Sequence, residues 1–224
     1  MVKRIADPKG VRFMTLSKSG QVQLVIDGVT GVGKSTLVDL LAKDLNLVEF
    51  REMFEDENQL LHKFFHNRER WAFPMQINFL TNRFKQYREA SRSNQAIMDR
   101  SIYSDAIFAK MYREQGYLTV EEYNVYENLL NSMIDGLEPP RLMVYLKVDT
   151  DEAIRRIHMR GRADEVEVER DYWALLNVFY ENNYRDYKGG PLLTLDVTNL
   201  DYVHKPEDRA FILQEITRAY KAAK

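Results

Sequence analysis

No cysteine occurs anywhere in the chain, so disulfides, thiolate metal sites and a cysteine nucleophile are excluded together. No apolar run approaches the length of a membrane span, and no apolar core follows the basic residues near the N-terminus as in a signal peptide. Neither sign of charge is in excess: 32 Lys and Arg against 34 Asp and Glu leave a net charge of -2. Without a basic surplus, neither nucleic acid nor a membrane surface is expected as the main partner. Internal repeats, low-complexity stretches and a Pro/Gly/Ser-rich linker are missing as well. What remains is a soluble protein, expected in the cytoplasm. Its 224 residues with 45% hydrophobic content suffice to bury one good core.

Glycine is scarce too, with 10 residues in the chain, yet Gly28, Gly31 and Gly33 fall close together. The stretch Gly28-Val29-Thr30-Gly31-Val32-Gly33-Lys34-Ser35, with Thr36 after it, follows an apolar run at 22–26 and opens a helical pattern at 36–45. It fits G-x-x-x-x-G-K-[ST] in the strand–loop–helix setting that a phosphate-binding loop requires. Glycines let successive N–H groups converge on phosphate oxygens, and the helix N-terminus adds partial positive charge. Lys34 is placed to reach the β- and γ-phosphates and the Ser35 hydroxyl to hold Mg²⁺. A chance Gly-rich turn would not need these flanks. A nucleoside triphosphate is the expected ligand.

The rest of the pattern alternates. Strands are expected at 22–27, 47–51, 95–99, 142–148 and 192–197. Helices are expected at 36–45, 59–91, 103–112, 120–134, 151–160, 172–187 and 206–221, the long one interrupted near 66–68 and a candidate for a kink at Pro74. Gly116 and the pair Pro139-Pro140 punctuate the connections. Strands separated by helices imply an α/β fold with a parallel sheet covered on both faces. Residues 21–224 read as a single domain. Residues 1–20 read as an N-terminal extension with an extra strand at 11–16, although their basic residues also allow a transit peptide.

Asp99 closes the third strand, at the carboxyl edge where open α/β sheets bind ligands, and Arg100 and Ser101 follow it. An acid there can hold Mg²⁺ through water and an arginine can meet a substrate oxygen; the alternative is a helix N-cap from Asp99 or Ser101. Glu52 lies just past the second strand, where it could accept a proton from an attacking hydroxyl. Among Glu49, Glu55, Asp56 and Glu57 it reads equally as part of a solvated acidic loop. Arg155 and Arg156 stand at i,i+4 from Asp151 and Glu152 and can lace a helix surface. Arg160-Gly161-Arg162, followed by Asp164, Glu165, Glu167 and Glu169, reads as a lid over the transferring phosphate or as a charged surface loop. Trp71, Phe73, Phe79 and Phe84 surround Gln76 and Arg83, which share one helical face. An amide and a guanidinium on an apolar face need partners, and a base edge would supply them.

These stretches carry a resemblance. GVTGVGKST at the phosphate loop, RERWAFPMQINFLTNRF at 68–84, DRSIYSDAIFAKM at 99–111 and RIHMRGRADE at 156–165 resemble, in that order, the deoxynucleoside kinases, and within them the bacterial deoxyadenosine/deoxyguanosine kinases. The likeness runs from about residue 23 to 200. Thymidylate kinases share the phosphate loop and a lid but not the glutamine helix.

The resemblance implies a P-loop three-layer fold with a five-stranded parallel sheet and an arginine-bearing lid, usually in a homodimer joined through helices. It implies phosphoryl transfer from ATP or another triphosphate, with Mg²⁺, to the 5′-hydroxyl of a purine deoxynucleoside, in nucleotide salvage. By position, Glu52 matches the general base, Arg100 the arginine near the 5′-hydroxyl, and Asp99 the acid associated with Mg²⁺. Arg156, Arg160 and Arg162 match lid arginines, and Glu165 the acid that meets the sugar 3′-hydroxyl. Gln76 matches the glutamine that binds the base, with Trp71 and Phe79 at the pocket wall. Arg83 and Asp105 match a pair that excludes the thymine methyl group. Two departures stand out. Phe65 occupies a position where the family usually has a tyrosine that meets the sugar 3′-oxygen. The segment 52–58 is one residue longer than in bacterial relatives, so Glu49 or Glu55 could take the base's place. The rival readings are a nucleoside monophosphate kinase and a non-catalytic nucleotide-binding subunit.

Overall fold

A computed structural model of the chain describes residues 20–51 and 59–223. The extension at 1–19, with its expected strand, and the acidic segment 52–58 lie outside the described residues.

Runs of branched apolar residues form the sheet: β1 (Leu24–Asp27), β2 (Val48–Phe50), β3 (Ala96–Asp99), β4 (Leu142–Lys147) and β5 (Leu192–Asp196). All pairings are parallel, in the order β2-β3-β1-β4-β5. Every residue of β1 and β3 is buried, as strands covered on both faces should be. The first strand is shorter than the expected 22–27. Val22 and Gln23 still bond to its neighbours through Arg141 N–H to Val22 O and Gln23 N–H to Ala96 O.

Helices cover both faces: α1 (Lys34–Leu45), α2 (Leu60–His66), α3 (Arg68–Ser93), α4 (Asp105–Glu114), α5 (Val120–Ile134), α6 (Thr150–Arg160), α7 (Ala163–Val166), α8 (Arg170–Arg185) and α9 (Pro206–Ala222). The break expected near 66–68 is a cap. Asn67 ends α2, and its side chain accepts the Arg70 N–H at 3.0 Å to start α3. Pro74 does not end α3, which runs for 26 residues. The lost N–H falls in the second turn, and the burial of Ala72, Met75 and Leu80 around it outweighs one missing bond. The helix expected from 103 begins as a single 3₁₀ turn, Ile102–Ser104, before α4. The short α7, inside the arginine-bearing stretch, was not expected.

The connection after β1 leads towards β2 and the connection after β3 leads to β4 on the other side, so strand order reverses between these two central neighbours. A crevice opens at such a switch point, outside the carboxyl ends of the strands. The phosphate loop and Asp99 flank it.

Candidate active site

A cavity of about 850 Å³ occupies that crevice, lined at one end by the loop 30–36 and at the other by α3, α4 and the start of α8. The loop's curl depends on Gly31 and Gly33, at φ 84° and 103°, a region that side chains rarely adopt. A Cβ on Gly33 would collide with the Tyr202 hydroxyl, which itself donates to Val32 O at 2.9 Å. Helix α1 starts straight from Gly33 with no side-chain cap, so its first-turn N–H groups face the loop without a side-chain acceptor. Lys34 is buried and its ammonium donates to Gly28 O and Val29 O at 2.8 and 2.9 Å. The loop thus holds its lysine in place ahead of any ligand.

Ser35 donates from its hydroxyl to Asp99 Oδ2 at 2.5 Å. Asp99 is buried, and its Oδ1 has no hydrogen-bond partner among the described residues. Neither Asp99 nor Ser101 caps the following turn: Ser101 precedes it without a side-chain cap bond. Arg100 is buried, has φ 65°, and sets its guanidinium 5.0 Å over the Phe108 ring.

On the opposite wall, Gln76, Phe79 and Arg83 share one face of α3, and all three line the cavity. Arg83 Nε meets Asp105 Oδ1 at 2.6 Å, with the two side chains 6% and 4% exposed. Phe65 lines this wall as well, in a T-shaped contact with the Tyr172 ring. Trp71 is not among the cavity residues. Its ring instead receives Lys63 and Arg70 at 4.9 and 4.8 Å, and the tryptophan at the wall is Trp173.

Arg160, Arg162 and Glu165 all border the cavity. Glu165 holds Arg160 in an ion pair and lies 3.5 Å from Arg162, so the arginines bend towards the protein's own acid. Arg156 plays a different part from its neighbours. Its guanidinium donates to Glu152 at 2.6 Å, to Val32 O at 3.0 Å and to Val197 O and Leu200 O at 3.0 and 3.2 Å. It ties the phosphate loop to the loop after β5. The expected i,i+4 pair of Asp151 with Arg155 does not form: Asp151 pairs with Arg170, and Glu152 takes both Arg155 and Arg156. The Arg155 and Arg156 guanidiniums hold the Glu152 carboxyl down at about 2.

Glu52 and Glu55 lie outside the described residues, while Glu49 in β2 pairs with Arg51 at 3.0 Å and is not among the cavity residues. Several cavity residues escape a reading by spacing. Tyr112 and Tyr172, buried with their hydroxyls 2.7 Å apart, lie 60 positions apart in sequence, and burial pushes the Tyr172 hydroxyl up to about 12. Arg51, Phe108 and Tyr202 also belong here, each brought in by a different element. Only Arg51, a cation at the end of a strand, carried a usable sequence signal.

Comparison with known proteins agrees with this arrangement. A family model described as deoxynucleoside kinase matches residues 24–221. A deoxyadenosine/deoxycytidine kinase of Bacillus subtilis is 35% identical over 199 residues, 86% of this chain and 90% of the relative. A deoxyguanosine kinase of Lactobacillus johnsonii is 34% identical over 207 residues, 88% of this chain and 92% of the relative. Among solved structures, deoxyadenosine kinase from M. mycoides with bound dCTP superposes with a TM-score of 0.73 at 30% identity, covering 87% of this chain and 98% of that one.

Proposed function

This chain belongs to the deoxynucleoside kinase family, and we propose that it transfers the γ-phosphoryl group of ATP, or of a related triphosphate, to the 5′-hydroxyl of a purine deoxynucleoside. One observation carries the reading: a phosphate loop and a recess walled by Gln76 and the Arg83–Asp105 pair open into the same cavity. The first suits a triphosphate, and the second offers an amide, a guanidinium and a carboxylate to a base edge. The relatives that support a purine acceptor are named for deoxyadenosine and deoxyguanosine.

Ser35 and Asp99 suit Mg²⁺. Both offer hard oxygen donors, and the buried Asp99 Oδ1, without a partner among the described residues, is an acceptor that a hydrated cation would satisfy. Ser35 would hold it directly and Asp99 through water, and it would supply positive charge to offset that of the transferring phosphate. Lys34 and the first-turn N–H groups of α1 hold the phosphates in line with the acceptor. The triphosphate's charge draws Arg160 and Arg162 away from Glu165, which is then released to the sugar 3′-hydroxyl. Arg100 steadies the 5′-oxygen as it attacks, and Glu52 removes its proton late, because a loose transition state asks little of the alcohol until the bond forms. Arg156 serves by holding the two donor-side loops together. A cytoplasmic homodimer joined through helices, as the family resemblance implies, completes the reading; sedimentation tests the assembly.

The direct test is phosphate transfer from ATP–Mg²⁺ to each of the four deoxynucleosides, with ribonucleosides and deoxynucleoside monophosphates alongside. Turnover of deoxyadenosine or deoxyguanosine with thymidine poor is the expected result. Turnover confined to a monophosphate would replace the reading with a nucleotide kinase, and no turnover would leave a binding subunit.

A further inference from the structure

Asp27 ends β1 and immediately precedes the phosphate loop, and it is wholly buried. A buried carboxylate is costly unless donors surround it. Gly28 N–H donates to Oδ1 at 2.7 Å, and the Tyr184 hydroxyl, from α8, donates to Oδ2 at 2.5 Å. Sheet register explains the meeting. Asp27 stands opposite Tyr145 on β4, and the Tyr145 and Tyr184 rings stack at 4.3 Å, which delivers the Tyr184 hydroxyl to the strand end. Burial raises the Tyr184 hydroxyl well above its ordinary value, so it remains a donor at any working pH.

On the other side of Asp27 lies Arg100. Ile26 stands opposite Asp99, so the next residue on each strand, Asp27 and Arg100, are neighbours, and Arg100 N–H donates to Ile26 O at 2.9 Å. Arg100 Nε is 3.9 Å from Asp27 Oδ1, close enough to feel the charge and too far for a hydrogen bond. The left-handed backbone of Arg100 and its stacking on Phe108 keep the guanidinium at the cavity.

We propose that Tyr184 is a positioning residue for phosphoryl transfer: by saturating Asp27, its hydroxyl keeps the carboxylate from drawing Arg100 off the cavity and into a direct ion pair. This rests on the proposed kinase reading only where it concerns rate. Asp27 attracts the buried guanidinium across 3.9 Å, and Tyr184 limits how strongly it pulls. α8, which carries Tyr184, follows α7, which carries Asp164 and Glu165, so the two influences on the cavity's arginines come from consecutive helices.

The test is a set of variants read in two ways. In a crystal structure of Tyr184→Phe, Arg100 Nε is expected to close on Asp27 to about 2.9 Å; a separation still near 3.9 Å overturns the proposal. In steady-state kinetics, Tyr184→Phe is expected to lower kcat about tenfold with KM for both substrates nearly unchanged. Adding Asp27→Asn to that variant removes the pull and is expected to restore a large part of kcat. A purely structural role predicts the opposite, a further loss in the double variant. Tyr187→Phe removes a neighbouring buried hydroxyl, on a ring 5.8 Å from Tyr184, and should leave kcat unchanged; an equal fall there overturns the proposal. A wild-type protein inactive towards every deoxynucleoside would defeat the kinase reading, while the crystallographic arm still decides the role of Tyr184.

Discussion

The two ends of the cavity are built in opposite ways. The donor end centres on one contiguous segment, Gly28 to Thr36, whose shape follows from positive-φ glycines and an uncapped helix start. The acceptor end is assembled from α2, α3, α4, α8 and the stretch 160–165, and its polar groups meet across long stretches of chain. A contiguous site is held by its own backbone. An assembled one holds only while every packed element keeps its place. Damage to the first should therefore cost chemistry more than stability, and damage to the second should cost both.

The largest effect tests the donor end. Lys34→Ala should lower kcat by roughly 10³-fold or more while the melting temperature changes little, since the phosphates lose their cation and the fold loses local bonds such as those to Gly28 O and Val29 O. A melting temperature that fell sharply would erase the contrast between the two ends.

Next comes the acceptor end. Asp105→Ala takes the paired carboxylate away from Arg83, which is buried, and should cost about 3–5 kcal/mol of stability as well as activity. Replacing both residues by apolar ones of similar size should recover much of the stability and none of the purine selectivity, measured by denaturant unfolding and by competition between deoxyadenosine and thymidine.

The clamp within the donor end gives a smaller, pH-dependent effect. The Glu152 carboxyl, ordinarily near 4.5, is held at about 2 by Arg155 and Arg156. A depressed carboxyl adds stability that is complete above its unfolded value and fades as pH falls through its folded one. Melting temperature should therefore decline between about pH 4.5 and 2 less steeply in Glu152→Gln than in the wild type, if Arg156 clamps the two loops as described.

The smallest effect is a gain. Phe65→Tyr adds a hydroxyl beside the sugar end of the recess and should lower KM for a deoxynucleoside by a few-fold, about 1 kcal/mol, while leaving a 2′,3′-dideoxynucleoside unaffected. Equal effects on both would show that the ring, rather than a hydroxyl at this position, decides sugar binding.

Much of the fold was legible before any coordinates. The expected helix at 120–134 coincides with α5, and the strand positions hold to within two residues at their starts, because buried parallel strands must read as short apolar runs. The misses have physical causes. A helix start that begins as a 3₁₀ turn has no distinct apolar period, and α7, four residues long, is too short to show one. Asp151 was paired with the wrong arginine because i,i+4 spacing sees only its own helix, whereas Arg170 arrives from α8.

The same division separates the site residues. Sequence alone determined the phosphate loop, its lysine and serine, and the Gln76–Arg83 face, since each depends on backbone geometry or periodicity within a few turns. Tertiary structure alone decided that Trp173 and not Trp71 borders the cavity, that Arg156 is a clamp between loops, and that Tyr184 reaches Asp27 across 157 positions. Such contacts are set by strand register and helix packing. A buried carboxylate selects its donors from whatever those bring within about 3 Å, and distance along the chain carries no trace of that choice.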